Sequence, residues 1–299
     1  MHNPLGSWVR SCDLRTYILW GIIQCVMTKD LQIILPANIS AEQEQLIIKY
    51  LAQGRRSLTK SDWRLVLTGF DILHQAQVIA GSESTTFKQL YATHVERPFA
   101  NLYIDALLQL EDVGRESNAL RARLARQIVK HLEQANLWQA DVTGSNTFLS
   151  YCLYFWEAFA LGYAFEVEIY RDLTQSGIDF QAHDIRDYRA RLSAYDLQLL
   201  GQYGDIKTSL YFLHVKRGGN LPHDFYVTRF YEGNRQRTLV VMMKPQSWEQ
   251  INGDTVETTL EQATKQFPTP AMVQIKGRPI VILDYNIWKR KVLNKQQGK

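Results

Sequence analysis

The stretch Tyr195-Asp196-Leu197-Gln198-Leu199-Leu200-Gly201-Gln202-Tyr203-Gly204-Asp205-Ile206-Lys207-Thr208-Ser209 decides how the C-terminal half of the chain is read. Apolar and polar side chains alternate around Gly201, which predicts two strands joined by a tight turn. Side chains two apart on a strand share a face, so Asp205 and Lys207 project together while Ile206 points to the opposite, buried side. Register then decides what faces Asp205. A turn centred on Leu200-Gly201 sets Asp196 directly opposite Asp205, with α-carbons about 5 Å apart, and Gly201 takes the positive φ. A turn centred on Gln202-Tyr203 sets Asp196 opposite Ser209 and separates the two carboxylates by about 13 Å along the strand. The first register brings two acids to one point; the second does not.

Upstream, Phe148, Tyr151, Phe155, Phe159, Gly162, Phe165, Ile169 and Leu173 recur at three- and four-residue steps and predict a buried helix, or two, over Thr147 to Leu173. Glu166 borders this stripe and Glu168 points farther from it, so Glu166 is the helical acid nearer the packed face. After Gly177 the pattern changes to strands: Ile178 to Ala182, Tyr195 to Leu200, Tyr203 to Leu213, Phe225 to Tyr231 and Thr238 to Met243, then Met272 to Ile275 and Pro279 to Leu283. Glu232-Gly233-Asn234 and Lys276-Gly277-Arg278 read as hairpin turns. His183 and Asp184 close the first strand and read as an exposed loop, with a phosphate or a second metal as the alternative use.

An acid on a helix, an Asp on the second strand after it, and acid-x-Lys on the third form the pattern of the PD-(D/E)XK nuclease superfamily. This chain resembles it through Glu166, Asp196 and Asp205-Ile206-Lys207, within roughly residues 160 to 209. Tyr195 stands where the motif has proline, Asp205 where Glu is commoner, and the link from Asp196 to Asp205 is short. The resemblance implies an α/β fold with a mixed central sheet of restriction-endonuclease-like type. It also implies hydrolysis of DNA phosphodiester bonds, with Mg²⁺ or Mn²⁺ held by Asp196, Asp205 and Glu166, and with Lys207 as the fourth catalytic group. The chemistry is consistent on its own terms. Mg²⁺ takes hard oxygen ligands and keeps several waters, and a lysine beside it orients the attacking water and offsets charge on the phosphate. Two other classes remain open: a nuclease-like fold that binds nucleic acid or protein without cutting, and a helical interaction protein whose sheet is only structural.

Charge supports a nucleic-acid partner in one region. The 299 residues carry a formal net charge of +4, yet residues 200 to 299 hold 15 Lys and Arg against 8 Asp and Glu. Such a surface attracts a phosphate backbone, and Lys216, Arg217, His223 and Arg229 are candidates to line a DNA groove. Five of the basic residues belong to Lys289 to Lys299, read as a basic, solvated tail. Two-fold symmetry among enzymes that cut both strands makes a homodimer an expectation.

Cys12, Cys25 and Cys152 lie far apart, which argues against a disulfide framework and for a reducing, cytoplasmic setting. No apolar run reaches the length of about 20 residues that a spanning helix needs, so no membrane partner is expected. G-x-S-x-G, G-x-x-x-x-G-K-[ST], H-E-x-x-H and G-x-G-x-x-G are absent from the sequence, which removes the serine hydrolase, P-loop, zincin and dinucleotide-binding readings.

Three regions follow. Residues 1–28 read as a leader or N-terminal extension, with an apolar run from Tyr17 to Met27 behind Arg10 and Arg15 and no small-residue cleavage site after it. Residues 29–145 read as all-helical apart from a short apolar run at Leu31 to Leu35, read as a strand or an extended entry segment. Ser40 and Gln43 have capping-box spacing, and helices are predicted over about Thr59 to Ala80, Pro98 to Leu110 and Glu116 to Leu137. The polar stretch Asp141 to Asn146 marks the boundary to a nuclease-like domain over 146–299.

Overall fold

The computed structural model describes residues 31–80, 82–139, 142, 144–187, 189–190, 193–208, 222–232, 235–243, 271–275 and 278–298. Residues 1–28, Lys216 and Arg217 lie outside them, as does the far end of the strand expected to reach Leu213. The described residues form two compact units, one holding those up to Leu102 together with Arg121–Glu157, the other Tyr103–Leu120 and those from Ala158 onward. The chain passes between them inside helices. The crossings fall at residues 102–103, 120–121 and 157–158.

The first unit contains β1 (Leu31–Ile34), α1 (Ala41–Gln53), α2 (Lys60–Leu73), β2 (Gln77–Ala80), β3 (Glu83–Thr86) and α3 (Phe87–Tyr91). After α3 a π-turn over Ala92–Glu96 leads into α4 (Arg97–Gln109). Then comes α5 (Val113–Gln134), and the first part of α6 (Ser145–Gln175) returns to this unit. α1 starts where Ser40 accepts from Gln43 N–H and the Gln43 side chain accepts from Ser40 N–H, a reciprocal cap that leaves two fewer donors unmet. Beyond the strand or extended entry expected at Leu31 to Leu35, where β1 lies, an all-helical region was expected, but β2 and β3 join β1 in an antiparallel sheet of order β1-β2-β3. The helix predicted through Ala80 ends at Leu73, and Val78 and Ile79 pair with Ile33 and Gln32 on β1. β-branched side chains suit that pleated position better than a helix end. An aromatic cluster fills the core: Phe70 stacks on Tyr154 at 4.2 Å between ring centres, with Tyr50 and Trp63 packed edgewise around them.

The second unit is mixed α/β. Its seven-stranded sheet runs β4 (Gln181–Ala182), β5 (Leu197–Leu199), β6 (Gln202–Lys207), β7 (Phe225–Glu232), β8 (Arg235–Met242), β10 (Arg278–Asp284), β9 (Ala271–Ile275). Every pairing is antiparallel except β6 with β7. A parallel pair cannot be joined by a tight turn, and the connection from Thr208 to Asp224 is long enough for a crossover. α6 lies over the sheet through Phe165, Ile169 and Leu173, which bury against Leu197, Leu199, Ile206, Phe225, Val227 and Val240. Each such side chain contributes about 1.5–3 kcal/mol when fully buried, which anchors the charged groups at the rim. The chain end is not a solvated tail. It forms α7 (Tyr285–Gln296), which inserts Trp288 and Val292 into the same core, while Lys289 bridges to Asp172 at 2.8 Å. Arg171 ties α6 to the end of α4 by donating to the carbonyls of Leu108 and Leu110.

The β5–β6 hairpin turns on Leu200 and Gly201, both at positive φ (50° and 75°), and pairs Leu197 with Gly204. Extending that register by one residue sets Asp196 opposite Asp205. Gly204 has a second constraint, because a β-carbon there would collide with the ring of Phe225 on β7. No helix among the described residues is long and apolar enough to cross a membrane.

Candidate metal centre

Four elements bring their polar groups to one end of this sheet. α6 delivers Glu166 one turn ahead of Tyr170. The loop after β4 delivers His183, the entry to β5 delivers Asp196, and β6 delivers Asp205 and Lys207. Asp196 is fixed from two sides: its N–H donates to Gly204 O at 3.0 Å, and Tyr170 Oη donates to its carbonyl at 2.8 Å. Its carboxylate Oδ2 accepts from Ile206 N–H at 2.7 Å. Asp205 is gripped by Lys207 Nζ, which lies 2.8 Å from Oδ1 and 2.7 Å from Oδ2. His223 Nε2 stands 3.6 Å from Asp205 Oδ2.

The third acid meets a different neighbour. Glu166 Oε2 lies 3.6 Å from His183 Nε2, and His183 Nδ1 lies 4.0 Å from Asp196 Oδ1. Both separations exceed hydrogen-bond length. Glu166 Oε2 and His183 Nδ1 are buried and without a hydrogen-bond partner. Unmet buried polar atoms are rare and call for an explanation.

Electrostatics make the same point. Burial, reinforced by Asp205 and opposed by Lys207, pushes the Glu166 carboxyl up to about 7. Asp196 is pushed up to about 9 by burial first, then by a hydrogen bond with Asp205 and the charges of Glu166 and Asp205, against the donation from Ile206 N–H. Burial would lower the Lys207 ammonium, but Asp205, Asp196 and Glu166 together hold it above the ordinary lysine value. His183 is lowered by burial, partly offset by the main chain at Tyr195 and Asp196 and by Asp184 and Asp205. Three carboxylates facing one lysine leave an excess of negative charge that water cannot screen. Burial and mutual repulsion thus disfavour the ionised acids, and a divalent cation would offset both effects.

The residues fit such a cation. Glu166, His183 and Asp196 each offer a donor atom, all within 4.8 Å of one another. His183 also lines a cleft of about 650 Å³ bordered by Tyr170, Arg171, Asp184, Ile185 and Arg186.

The sequence-based expectations divide here. Glu166, Asp196, Asp205 and Lys207 come together. His223, expected in a DNA groove, lies against Asp205 with its ring 5.3 Å from that of Tyr226. Arg229, expected in the same groove, is committed elsewhere: its guanidinium pairs with Glu168 at 2.6 Å and covers the Phe165 ring at 4.3 Å. Its side chain is 11% exposed. His183, read as an exposed loop residue, is 6% exposed at its side chain and belongs to the centre. Its only sequence signal was its place at the end of the first strand.

No family model matches this chain, and no curated protein or solved structure does either.

Proposed function

We propose that the protein is a metal-dependent endonuclease hydrolysing DNA phosphodiester bonds, with a core of restriction-endonuclease-like type. The observation that carries this reading is the meeting of Glu166, Asp196 and the Asp205–Lys207 pair at one sheet end. The elements follow the order helix, strand, strand, strand, with an acid in or beside the helix and the second and third strands. Glu166 and Asp196 would hold Mg²⁺ or Mn²⁺, with Asp205 beside them. When bound, such a cation lowers the pKa of water and neutralises phosphate charge.

The chain's own groups do the rest. Asp205 holds the Lys207 ammonium in place and keeps it charged. That ammonium orients water toward the scissile phosphorus and stabilises charge on the phosphoryl oxygens as it develops. Tyr170 and Ile206 N–H fix Asp196, so the acids do not reorganise when substrate arrives. Most affinity for the strand would come from Lys and Arg on the basic C-terminal third rather than from these acids.

Nicking of plasmid, branched and single-stranded DNA by the purified protein tests the reading. Cleavage is expected to need Mg²⁺ or Mn²⁺, to stop in EDTA, and to be abolished in Asp205→Ala while DNA binding survives. Activity that persists in EDTA, or that is equal in wild type and variant, would overturn it. Salt-dependent DNA binding with no cutting of any substrate would point to a nucleic-acid-binding module instead.

A further inference from the structure

We propose that His183 supplies a nitrogen ligand to the cation held by Glu166 and Asp196, so that this centre selects a first-row divalent ion such as Mn²⁺ over Mg²⁺. The inference rests on the reading of this cluster as a metal centre and changes its ligand set. Asp205, the expected third ligand, has both oxygens on Lys207.

The geometry fits an ion better than a direct contact. The ring presents Nε2 to Glu166 Oε2 at 3.6 Å and Nδ1 to Asp196 Oδ1 at 4.0 Å. Metal–ligand bonds of about 2.0–2.2 Å place two ligand atoms about 3–4.4 Å apart, from adjacent to opposite positions. An ion engages one imidazole nitrogen: Nε2 lies 3.6 Å from Glu166 Oε2, inside that range and too long for a hydrogen bond, and one donor atom from each of Glu166, His183 and Asp196 lies within 4.8 Å of the others. The orphaned atoms are His183 Nδ1 and Glu166 Oε2, on two members of the same triad. Asp196 Oδ2 is already satisfied by Ile206 N–H, which leaves Oδ1 on the side of the imidazole. Tyr170 packs edge-on against the His183 ring at 6.4 Å and donates to the Asp196 carbonyl, so one side chain positions both ligands.

Donor chemistry sets the choice of ion. Mg²⁺ takes oxygen donors and sheds water reluctantly. Imidazole shifts preference toward the first transition row.

The test titrates EDTA-treated full-length protein with Mn²⁺ and with Mg²⁺ by calorimetry and records pulsed electron paramagnetic resonance of bound Mn²⁺. The wild type is expected to bind Mn²⁺ at least about tenfold more tightly than Mg²⁺, and the spectrum should show coupling to a directly bound nitrogen. His183→Ala, and His183→Asn should the first variant fold poorly, are expected to lose that coupling and to weaken Mn²⁺ binding by about tenfold or more. Mn²⁺ binding that lacks nitrogen coupling and is lost in Glu166→Gln would overturn the inference while leaving an all-oxygen nuclease centre. Nitrogen coupling that survives His183→Ala and vanishes in His223→Ala would overturn it too. Absence of binding for both ions would remove the inference together with the metal-dependent reading.

Discussion

The main-chain N–H of Ile206 donates to the Asp196 carboxylate at 2.7 Å. The bond reaches from the middle of the Asp205-Ile206-Lys207 triplet to the strand beside it, so the acids of two strands share one scaffold. It occupies Oδ2 of Asp196 and leaves Oδ1 toward His183.

Lys207 is the group on this scaffold that carries positive charge without being a metal ligand. Lys207→Ala is expected to keep cation binding within a few-fold of wild type, by calorimetry, and to lose turnover by about 10²–10³-fold, as removal of one oxyanion donor does. Single-turnover cleavage measured beside the calorimetry separates the two. Equal losses of binding and turnover would assign Lys207 to the metal site instead.

Leu200 carries strain. It adopts φ 50° at the first turn position, a left-handed conformation that costs a non-glycine residue about 1–2 kcal/mol. Asn-Gly is a preferred pair for such turns. Leu200→Asn is expected to raise the melting temperature by about 2–4 °C, the shift that about 1 kcal/mol produces in a unit of this size. A lower melting temperature would mean that Leu200, 40% exposed, contributes more by packing than it loses by strain.

Arg229 is expected to act on stability and not on DNA. Truncation to Ala leaves Glu168 without its partner and uncovers Phe165. Breaking a fully buried pair costs about 3–5 kcal/mol, and the partly exposed Glu168 reduces that to roughly 1–3 kcal/mol. Urea unfolding should show this drop, while DNA affinity across several salt concentrations stays within about threefold, a change of less than 1 kcal/mol. A salt slope that falls by about one in Arg229→Ala would return it to the phosphate-contacting set.

Acid sensitivity is expected in the first unit at His94. Burial, with His131 beside it, holds His94 down to about 4 against 6.5 when exposed. Between those values the unfolded chain binds the extra proton, so the stability from neutral His94 is complete above pH 6.5 and is lost as pH falls toward 4. His94→Gln is expected to flatten the fall in melting temperature between pH 7 and pH 5. An unchanged profile would locate the acid sensitivity elsewhere.

Local chemistry made much of this fold legible. Ser40 and Gln43 announced α1, the apolar steps from Phe148 to Leu173 announced α6, and alternation about Gly201 announced the hairpin. β2 and β3 were hidden because Gln77–Ala80 is too short to separate a strand from a helix end, and Glu83–Thr86 is polar throughout. His183 was hidden for another reason: its position depends on β4 pairing with β5, and no local pattern encodes that pairing. Arg229 finds Glu168 across 61 residues of chain, a pairing that no local pattern encodes.

The two-residue turn at Leu200-Gly201 has a consequence for the order of assembly. Hairpins close in about 1–10 μs, and parallel pairings between strands far apart in sequence, such as β6 with β7, form more slowly. Closing this hairpin brings Asp196 and Asp205 together without any help from the parallel neighbour of β6. Lys207 lies on the same hairpin and arrives with them. The repulsion between the two aspartates is met by a counter-charge built into the same short segment, and the nascent chain need not wait for a cation to close it.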